Sequence, residues 1–343
     1  MIRALCVLAL GCSAPATLPD LVVAEHRADA GDTDGAIAAY HAAQQHCHAL
    51  RPERVARAAC SDALLGEGEV LEHAQRIPQA IATYLAIPPR LADDPTTAAT
   101  ATYRAGKLLL EAGRAVDAWT ALWKCVTDYP DEPAATDALS LLLEDGRKRD
   151  PRALSDQLAT VLTAVAETEV ADNIVYDLAD LNTKELANPA AARALYDRIP
   201  VDYPTSGLRD DAWWYAAQLS LQLGDPKGAA ERLRKLLATR EVSLGAGSYF
   251  SIWLDDAQLE LGKILRDQLG DPNGAIAAFR RLPKDYPDSI LRDDALYELA
   301  VTLAAQRDAP GACRAIADLV KLEPDSKYMA KARPLGAQLG CKP

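Results

Sequence analysis

The chain has 343 residues, 49% of them hydrophobic, enough apolar material for a fully folded body and nominally for two or three domains. Its 37 Lys and Arg stand against 49 Asp and Glu, a net charge of −12, so it lacks the basic field that binding to nucleic-acid phosphates requires. No stretch reaches the roughly 18 to 20 uninterrupted apolar residues of a membrane-spanning helix, and an aromatic share of 6% beside abundant Ala and Leu favours helices over sheets.

At the amino terminus Met1-Ile2-Arg3 supplies one positive charge, Ala4 to Leu10 is a short apolar run, and Gly11-Cys12 follows at once. Ser13 to Pro19 is uncharged and rich in Ala, Pro and Thr, which suits a tether better than a helix. This arrangement resembles a bacterial lipoprotein signal peptide, with residues 1–11 as the signal and 12–18 as the modified cysteine and its tether. The resemblance implies that Cys12 is lipidated, that Cys6 leaves with the signal, and that the protein faces the periplasm. Ser13, where an Asp would stand in retained lipoproteins, resembles those sorted to the outer membrane. The alternatives are an ordinary first helix and a soluble cytoplasmic adaptor.

In an oxidising compartment the remaining cysteines can pair. Cys47 with Cys60 and Cys313 with Cys341 are close in sequence and each join neighbouring predicted helices, which makes these four the disulfide candidates. Cys125, alone on an apolar helix face, reads as core. All five histidines lie between residues 26 and 73, and His41, His46, Cys47, His48, Cys60 and His73 form the one concentration of metal-ligand types. His46, Cys47 and His48 are consecutive, however, and successive helical residues diverge by about 100° around the axis. Solvent-facing histidines beside a disulfide are therefore expected, with no metal and no other cofactor; a metal-dependent or enzymatic factor built on this cluster is the competing reading. No nucleophile elbow, phosphate loop, Cys-x-x-Cys or His-Glu-x-x-His occurs, so no catalytic residue and no small-molecule substrate are expected.

From residue 19 onward the chain repeats. With the small residue of the first landmark as origin, Ala63, Ala101, Ala138, Val175, Ala212, Ala257 and Ala295 recur at intervals of 37 or 38, except for one of 45 between Ala212 and Ala257. That longer interval places an insertion near Arg240 to Gly247. The clearest copies are Arg209-Asp210-Asp211-Ala212, Leu254-Asp255-Asp256-Ala257 and Arg292-Asp293-Asp294-Ala295. A second landmark, as in Gly224-Asp225-Pro226, Gly270-Asp271-Pro272, Asn188-Pro189 and Asp308-Ala309-Pro310, stops one helix and opens the next. A third, Asp128-Tyr129-Pro130, Asp202-Tyr203-Pro204 and Asp285-Tyr286-Pro287, ends the second helix, because proline pushes the residue before it out of helical geometry. Each unit is thus two helices and a loop, and units must stack to bury their apolar stripes.

These landmarks resemble the tetratricopeptide repeat in its longer bacterial variant, whose Tyr-Pro-Asp-Ser is reproduced in Tyr286-Pro287-Asp288-Ser289 and nearly in Tyr203-Pro204-Thr205-Ser206. Gly106 and Gly262 occupy the close-packing position of the first helix, and Ala229 and Ala275 the small position early in the second. The resemblance covers residues 19–340 as a single solenoid, most firmly 206–325. It implies an all-α, right-handed solenoid of about eight hairpins with a capping helix near Ser326 to Leu339. The repeats are similar to those of the outer-membrane assembly lipoprotein and of Tol-Pal-associated repeat proteins, which implies an interaction scaffold with a protein or peptide on its concave face and no contact with nucleic acid or, beyond the lipid, with membrane.

Two sets of residues remain. The paired acids opening each first helix recur with the period, so a local duty in capping free amides and meeting the positive helix end is expected rather than acid–base chemistry. Trp213, Trp214 and Tyr215 are contiguous in one first helix, and three adjacent positions cannot all share one buried stripe. Tyr249, Phe250 and Trp253 open the next first helix, and these six aromatics are the candidate partner-binding residues.

Overall fold

The computed structural model describes residues 18–47, 54–90, 93–240 and 251–342. Among these the regular structure is wholly helical: seventeen α-helices, a 3-10 turn at Pro88–Arg90, and no strand. Packing divides the chain into two units, residues 1–150 with 160–171 and residues 151–159 with 172–343.

In the first unit α1 (Pro19–Asp29) pairs with α2 (Thr33–Cys47), α3 (Arg54–His73) with α4 (Ile77–Ala86), and α5 (Pro95–Glu111) with α6 (Ala115–Asp128); α7 (Pro133–Arg149) follows. Helix α8 (Pro151–Val165) has residues in both units. The second unit holds α9 (Ala171–Lys184) and α10 (Pro189–Asp202), then the pairs α11 (Arg209–Gln222) with α12 (Pro226–Ala238), α13 (Leu254–Asp267) with α14 (Pro272–Asp285) and α15 (Arg292–Ala305) with α16 (Ala309–Leu322), and last α17 (Met329–Gln338). Within each unit a second helix packs on its own partner and on the first helix of the next pair, as α2 does on α3 and α14 on α15.

The boundaries follow from local chemistry. Helices α6, α10 and α14 end at Asp128, Asp202 and Asp285, and the pre-proline tyrosines Tyr129, Tyr203 and Tyr286 sit at φ −133°, −129° and −131°, outside helical geometry. Between the helices of a pair the chain turns through one left-handed residue: Gly31, Gly113, Gly224 and Gly270 at φ of 62° to 76°, but Gln75, Ala187 and Arg307 at 58°, 49° and 61°. A side chain there crowds the following carbonyl, at about 1–2 kcal/mol per residue. Arg307→Gly is therefore expected to stabilise the second unit by about 0.5–1 kcal/mol after the added chain entropy of glycine, read as a higher urea midpoint at unchanged slope. Asp225, Asp271 and Asp308 then cap the second helices, each Oδ1 accepting the N–H three residues on at 2.9, 2.8 and 2.9 Å.

The periodic small residues mark the core. Ala63, Ala101, Ala138, Val175, Ala212, Ala257 and Ala295 are all 0% exposed, and so is Ala332 of α17, one further period along. Five residues after three of these origins stand Gly68, Gly106 and Gly262, where a Cβ would come within 2.3, 2.6 and 2.4 Å of the Tyr84, Leu122 and Phe279 side chains. Each is a place where the first helix gives way to a large residue of the second.

Cys125 is buried, its thiol directed at the carbonyls of Ala99 and Ala134 at 3.4 and 3.5 Å, so it lies against both α5 and α7. Burial, with Asp137 and Asp128 adding to it, pushes this thiol up to about 12, which makes it a core residue without nucleophilic character at neutral pH. Cys313 and Cys341 are disulfide-bonded, with Cα atoms 5.3 Å apart, tying the end of the chain to α16. The final helix starts at Met329, three residues later than expected, because Ser326 Oγ accepts the Tyr328 N–H at 3.0 Å in a turn that precedes it.

Candidate functional site

The acidic pairs do more than meet the helix start. Helices α11, α13 and α15 begin after Leu208, Trp253 and Leu291, none of which caps through a side chain, and the pairs Asp210-Asp211, Asp255-Asp256 and Asp293-Asp294 lie within the first turn. The positive helix end favours them there, and Asp255 Oδ1 and Asp293 Oδ1 accept the first-turn amides of Asp256 and Asp294 at 3.1 and 2.8 Å, while further side-chain bonds run to later elements of the second unit. Asp255 Oδ2 accepts the Ser289 hydroxyl at 2.6 Å, Asp293 Oδ2 that of Ser326 at 2.8 Å, and Asp210 Oδ1 that of Thr239 at 3.0 Å. The first acid of each pair thus also joins successive repeats, because Thr239, Ser289 and Ser326, each just past the second helix of its repeat, arrive beside it.

The second acid receives an aromatic donor. Asp211 Oδ1 accepts Trp253 Nε1 at 2.7 Å, and Asp294 Oδ1 accepts the Tyr328 hydroxyl at 2.8 Å while Lys327 Nζ stands 2.9 Å from its other oxygen. Leu291 occupies the equivalent place opposite Asp256 and offers no donor. Burial and then Asp255 raise the Asp256 carboxyl, whereas at Asp294 burial is outweighed by Lys327 and Tyr328, which hold it below the usual range. A carboxyl lowered on folding adds stability above its unfolded pKa of about 3.9 and loses it as pH falls through the folded value; one raised on folding subtracts stability at neutral pH, and that penalty disappears on acidification. Asp294→Asn is thus expected to lower the unfolding midpoint at pH 7 and Asp256→Asn to raise it, the Asp256 effect fading as pH falls to about 3.9 and the Asp294 effect fading only below it. Urea titrations of the two variants from pH 7 to 3 check the opposite signs.

The Trp253 contact with Asp211 anchors a continuous set of rings in the second unit. Trp214 and Trp253 stack with centroids 5.0 Å apart and planes 10° off parallel. Tyr215 meets Trp253 edge-on at 5.7 Å and stacks on Tyr196 at 5.5 Å, and Tyr176 approaches Tyr196 and Tyr215 at 5.4 and 6.3 Å. Trp214, Tyr215 and Trp253 are half-buried, so their rings are packed on one side and reach solvent on the other. Burial, followed by the neighbouring tyrosine and aspartate groups, raises Tyr176 and Tyr196 and keeps both phenols protonated. Next to Trp253 a pocket of about 570 Å3 is lined by Pro204, Ser206, Arg209, Asp211 and Ile252.

Of the six aromatics expected to bind a partner, Trp213 is corrected: it is 8% exposed and packed in the core of the second unit, with Lys235 Nζ 4.6 Å over its ring. Tyr249 and Phe250 lie outside the described residues, as do Cys12 and His48. Tyr176 and Tyr196 join the cluster unforeseen. The period gives no signal for either, since Tyr176 follows the origin Val175 as the core residue Trp213 follows Ala212.

The histidines do not converge. His41 Nε2 lies 3.0 Å from Glu67 on α3, while His46 Nδ1 lies 2.8 Å from Asp20 on α1. Cys60 is disulfide-bonded, and the side chain of Cys47 lies outside the described residues.

No curated protein matches the chain. Among solved structures it is similar to MamA, at 16% identity over 53% of this chain and 95% of that one with a TM-score of 0.39. It is similar also to YrrB, a TPR protein with an unusual peptide-binding site, at 15% identity over 62% of this chain and 98% of that one with a TM-score of 0.43. A third is PilF of Pseudomonas aeruginosa, at 15% identity over 72% of this chain and all of that one, with a TM-score of 0.41. Residues 256–289 and 294–326 match the tetratricopeptide repeat family. These two segments cover most of the pairs α13–α14 and α15–α16 with the Ser289 and Ser326 loops that join each pair to the next helix, and both are similar to tetratricopeptide repeats.

Proposed function

We propose that this tetratricopeptide-repeat protein is a non-enzymatic interaction scaffold that docks a protein or peptide segment against the first helices of its repeats, with the aromatic cluster of the second unit as the anchor. The observation that carries this reading is the Trp214–Trp253 stack: two indoles held face to face, half-buried, one of them fixed by a hydrogen bond to Asp211. Rigid, partly exposed Trp and Tyr side chains are the commonest energetic anchors of protein interfaces, since they bring large contact area with little entropy left to lose. The net charge of −12 favours basic partners and speeds their encounter. The same proposal places the protein on the periplasmic side of the outer membrane, held by a lipid on Cys12 and acting in envelope assembly.

A photoreactive p-benzoylphenylalanine at position 214, activated in cells, is expected to capture one discrete partner, and Trp253→Ala is expected to reduce that capture at least tenfold. The same product from exposed position 116, or none from 214, overturns the docking site. Labelled palmitate incorporated by the wild type and lost in Cys12→Ser supports the anchor; absence of label with the protein in the soluble fraction overturns it and leaves a soluble adaptor.

A further inference from the structure

The first unit carries a site that the aromatic cluster does not use. Where α1, α2 and α3 meet there is a pocket of about 400 Å3 lined by Glu25 and Asp29 of α1, Tyr40 of α2, and Glu69, Val70 and His73 of α3. Tyr40 is only 5% exposed, yet its hydroxyl has no hydrogen-bond partner among the described residues. The hydroxyl of this otherwise buried ring is thus left free to meet a ligand in the pocket. Gly66 of α3 makes room for the ring, since a Cβ there would lie 2.6 Å from its carbons and 2.7 Å from its hydroxyl oxygen.

The charges around that hydroxyl are of one sign. After burial itself, Glu25, Glu69 and Asp29 are among the groups that raise the Tyr40 phenol, so their fields converge on it. Glu69 is partly satisfied by Arg104, 2.8 Å away, and Arg27 turns aside to Asp32 at 3.8 Å. Glu25 and Asp29, both exposed, have no ion pair among the described residues. Their placement runs against helix stability twice over: like charges four residues apart repel, and carboxylates in the last turns of α1 face the negative end of its dipole. Such local conflicts gather at functional sites. No three His, Cys, Asp or Glu side chains among the described residues stand close enough to hold a metal ion, so these carboxylates are spread too widely for one small ion and suit a larger organic cation.

We propose that this pocket receives a cationic side chain, a lysine ammonium or an arginine guanidinium, of a partner protein, with Glu25 and Asp29 as its counter-ions and Tyr40 as a hydrogen-bond acceptor at its base. The ligand follows from the acceptor set: an ammonium brings three donors and no acceptor, and a guanidinium five. The proposal rests on the scaffold reading, and it gives the partner a required charge at one place.

The test uses the full chain and fluorescein-labelled peptides of alternating Ser-Lys, Ser-Arg and Ser-Gln, with binding followed by anisotropy at low ionic strength. A basic peptide is expected to bind and the Ser-Gln peptide not. Glu25→Gln with Asp29→Asn is expected to weaken that binding at least tenfold and Tyr40→Phe severalfold. Glu231→Gln with Asp318→Asn removes the same charge from exposed positions elsewhere and is expected to change it less than twofold. No binding of either basic peptide, equal loss in both double variants, or displacement by spermidine or calcium at the peptide's own concentration overturns the proposal. Unchanged far-UV circular dichroism shows that each variant is folded. Trp214→Ala leaves these affinities unaltered, so a failed pocket with intact capture at position 214 removes the cation site alone, and the reverse result removes the aromatic anchor alone.

Discussion

Phe279→Ala is expected to lower the stability of the second unit by about 3–5 kcal/mol, the cost of emptying a large aromatic site in a packed core, as measured by urea unfolding. Phe279 is 0% exposed and lies against Gly262 of α13, with the Arg266 guanidinium 5.6 Å from its ring centre. The cavity cannot be closed cheaply, because the residue facing it has no side chain to move inward and helices α13 and α14 are held by neighbours on both sides. Interiors at crystal-like density transmit such a loss instead of absorbing it. Adding Gly262→Leu to Phe279→Ala is expected to recover part of the loss by refilling the space from the other helix. A cost below about 1 kcal/mol for Phe279→Ala would show that this contact does not carry the pair, since buried Phe truncations run well above that.

Cys341→Ser is expected to release the carboxy-terminal end of the second unit. The disulfide closes a loop of 28 residues from Cys313, for which chain-entropy arguments give about 3–4 kcal/mol. Past Tyr328, whose hydroxyl is held by Asp294, little is fully buried: α17 packs on α16 with only the small Ala332 and Gly336 buried, while Met329, Leu335 and Leu339 pack on the core partly exposed. In a stacked array each element leans on its nearest neighbours, so the effect is local. Amide hydrogens of residues 329–338 are expected to lose protection on substitution or reduction, while those of α13 and α14 keep theirs. Loss of protection throughout the second unit would mean that the disulfide supports the whole array.

Much of the fold is legible because a few residues act on their own backbone. Proline after Tyr129, Tyr203 and Tyr286 ends a helix each time through the residue before it, and the Asp-Pro starts of α12 and α14 need no distant partner. The repeat period is legible for a different reason, since one stacking contact recurs and demands the same small residue each time. The non-glycine turns at Gln75, Ala187 and Arg307 carry no such mark; there the packing of the flanking helices overrides a residue's own preference.

The candidate sites were legible only in part. Trp214 and Trp253 stood out as aromatics in excess of what one buried stripe can hold, but burial of Trp213 and the arrival of Tyr176 and Tyr196 from α9 and α10 depend on which rings three helices bring together. The second duty of Asp255 and Asp293, the link between repeats, has no sequence signal for the same reason: their serine partners lie 34 and 33 residues away, too far for local chemistry to announce. The pocket around Tyr40 had no signal beyond scattered acids and a histidine.

What the sequence by itself determined, then, is the helical class, the repeat length, the helix ends and the positions of close approach, all set by backbone geometry or by a contact repeated every 37 residues or so. Tertiary structure alone decided which acids join neighbours and which stay unpaired, which aromatics reach solvent, and where the hydroxyl of a mostly buried tyrosine opens on a pocket. Those outcomes turn on distances between side chains far apart in the chain, and a change of a single residue, as Leu291 for an aromatic opposite Asp256, reverses them without disturbing the period.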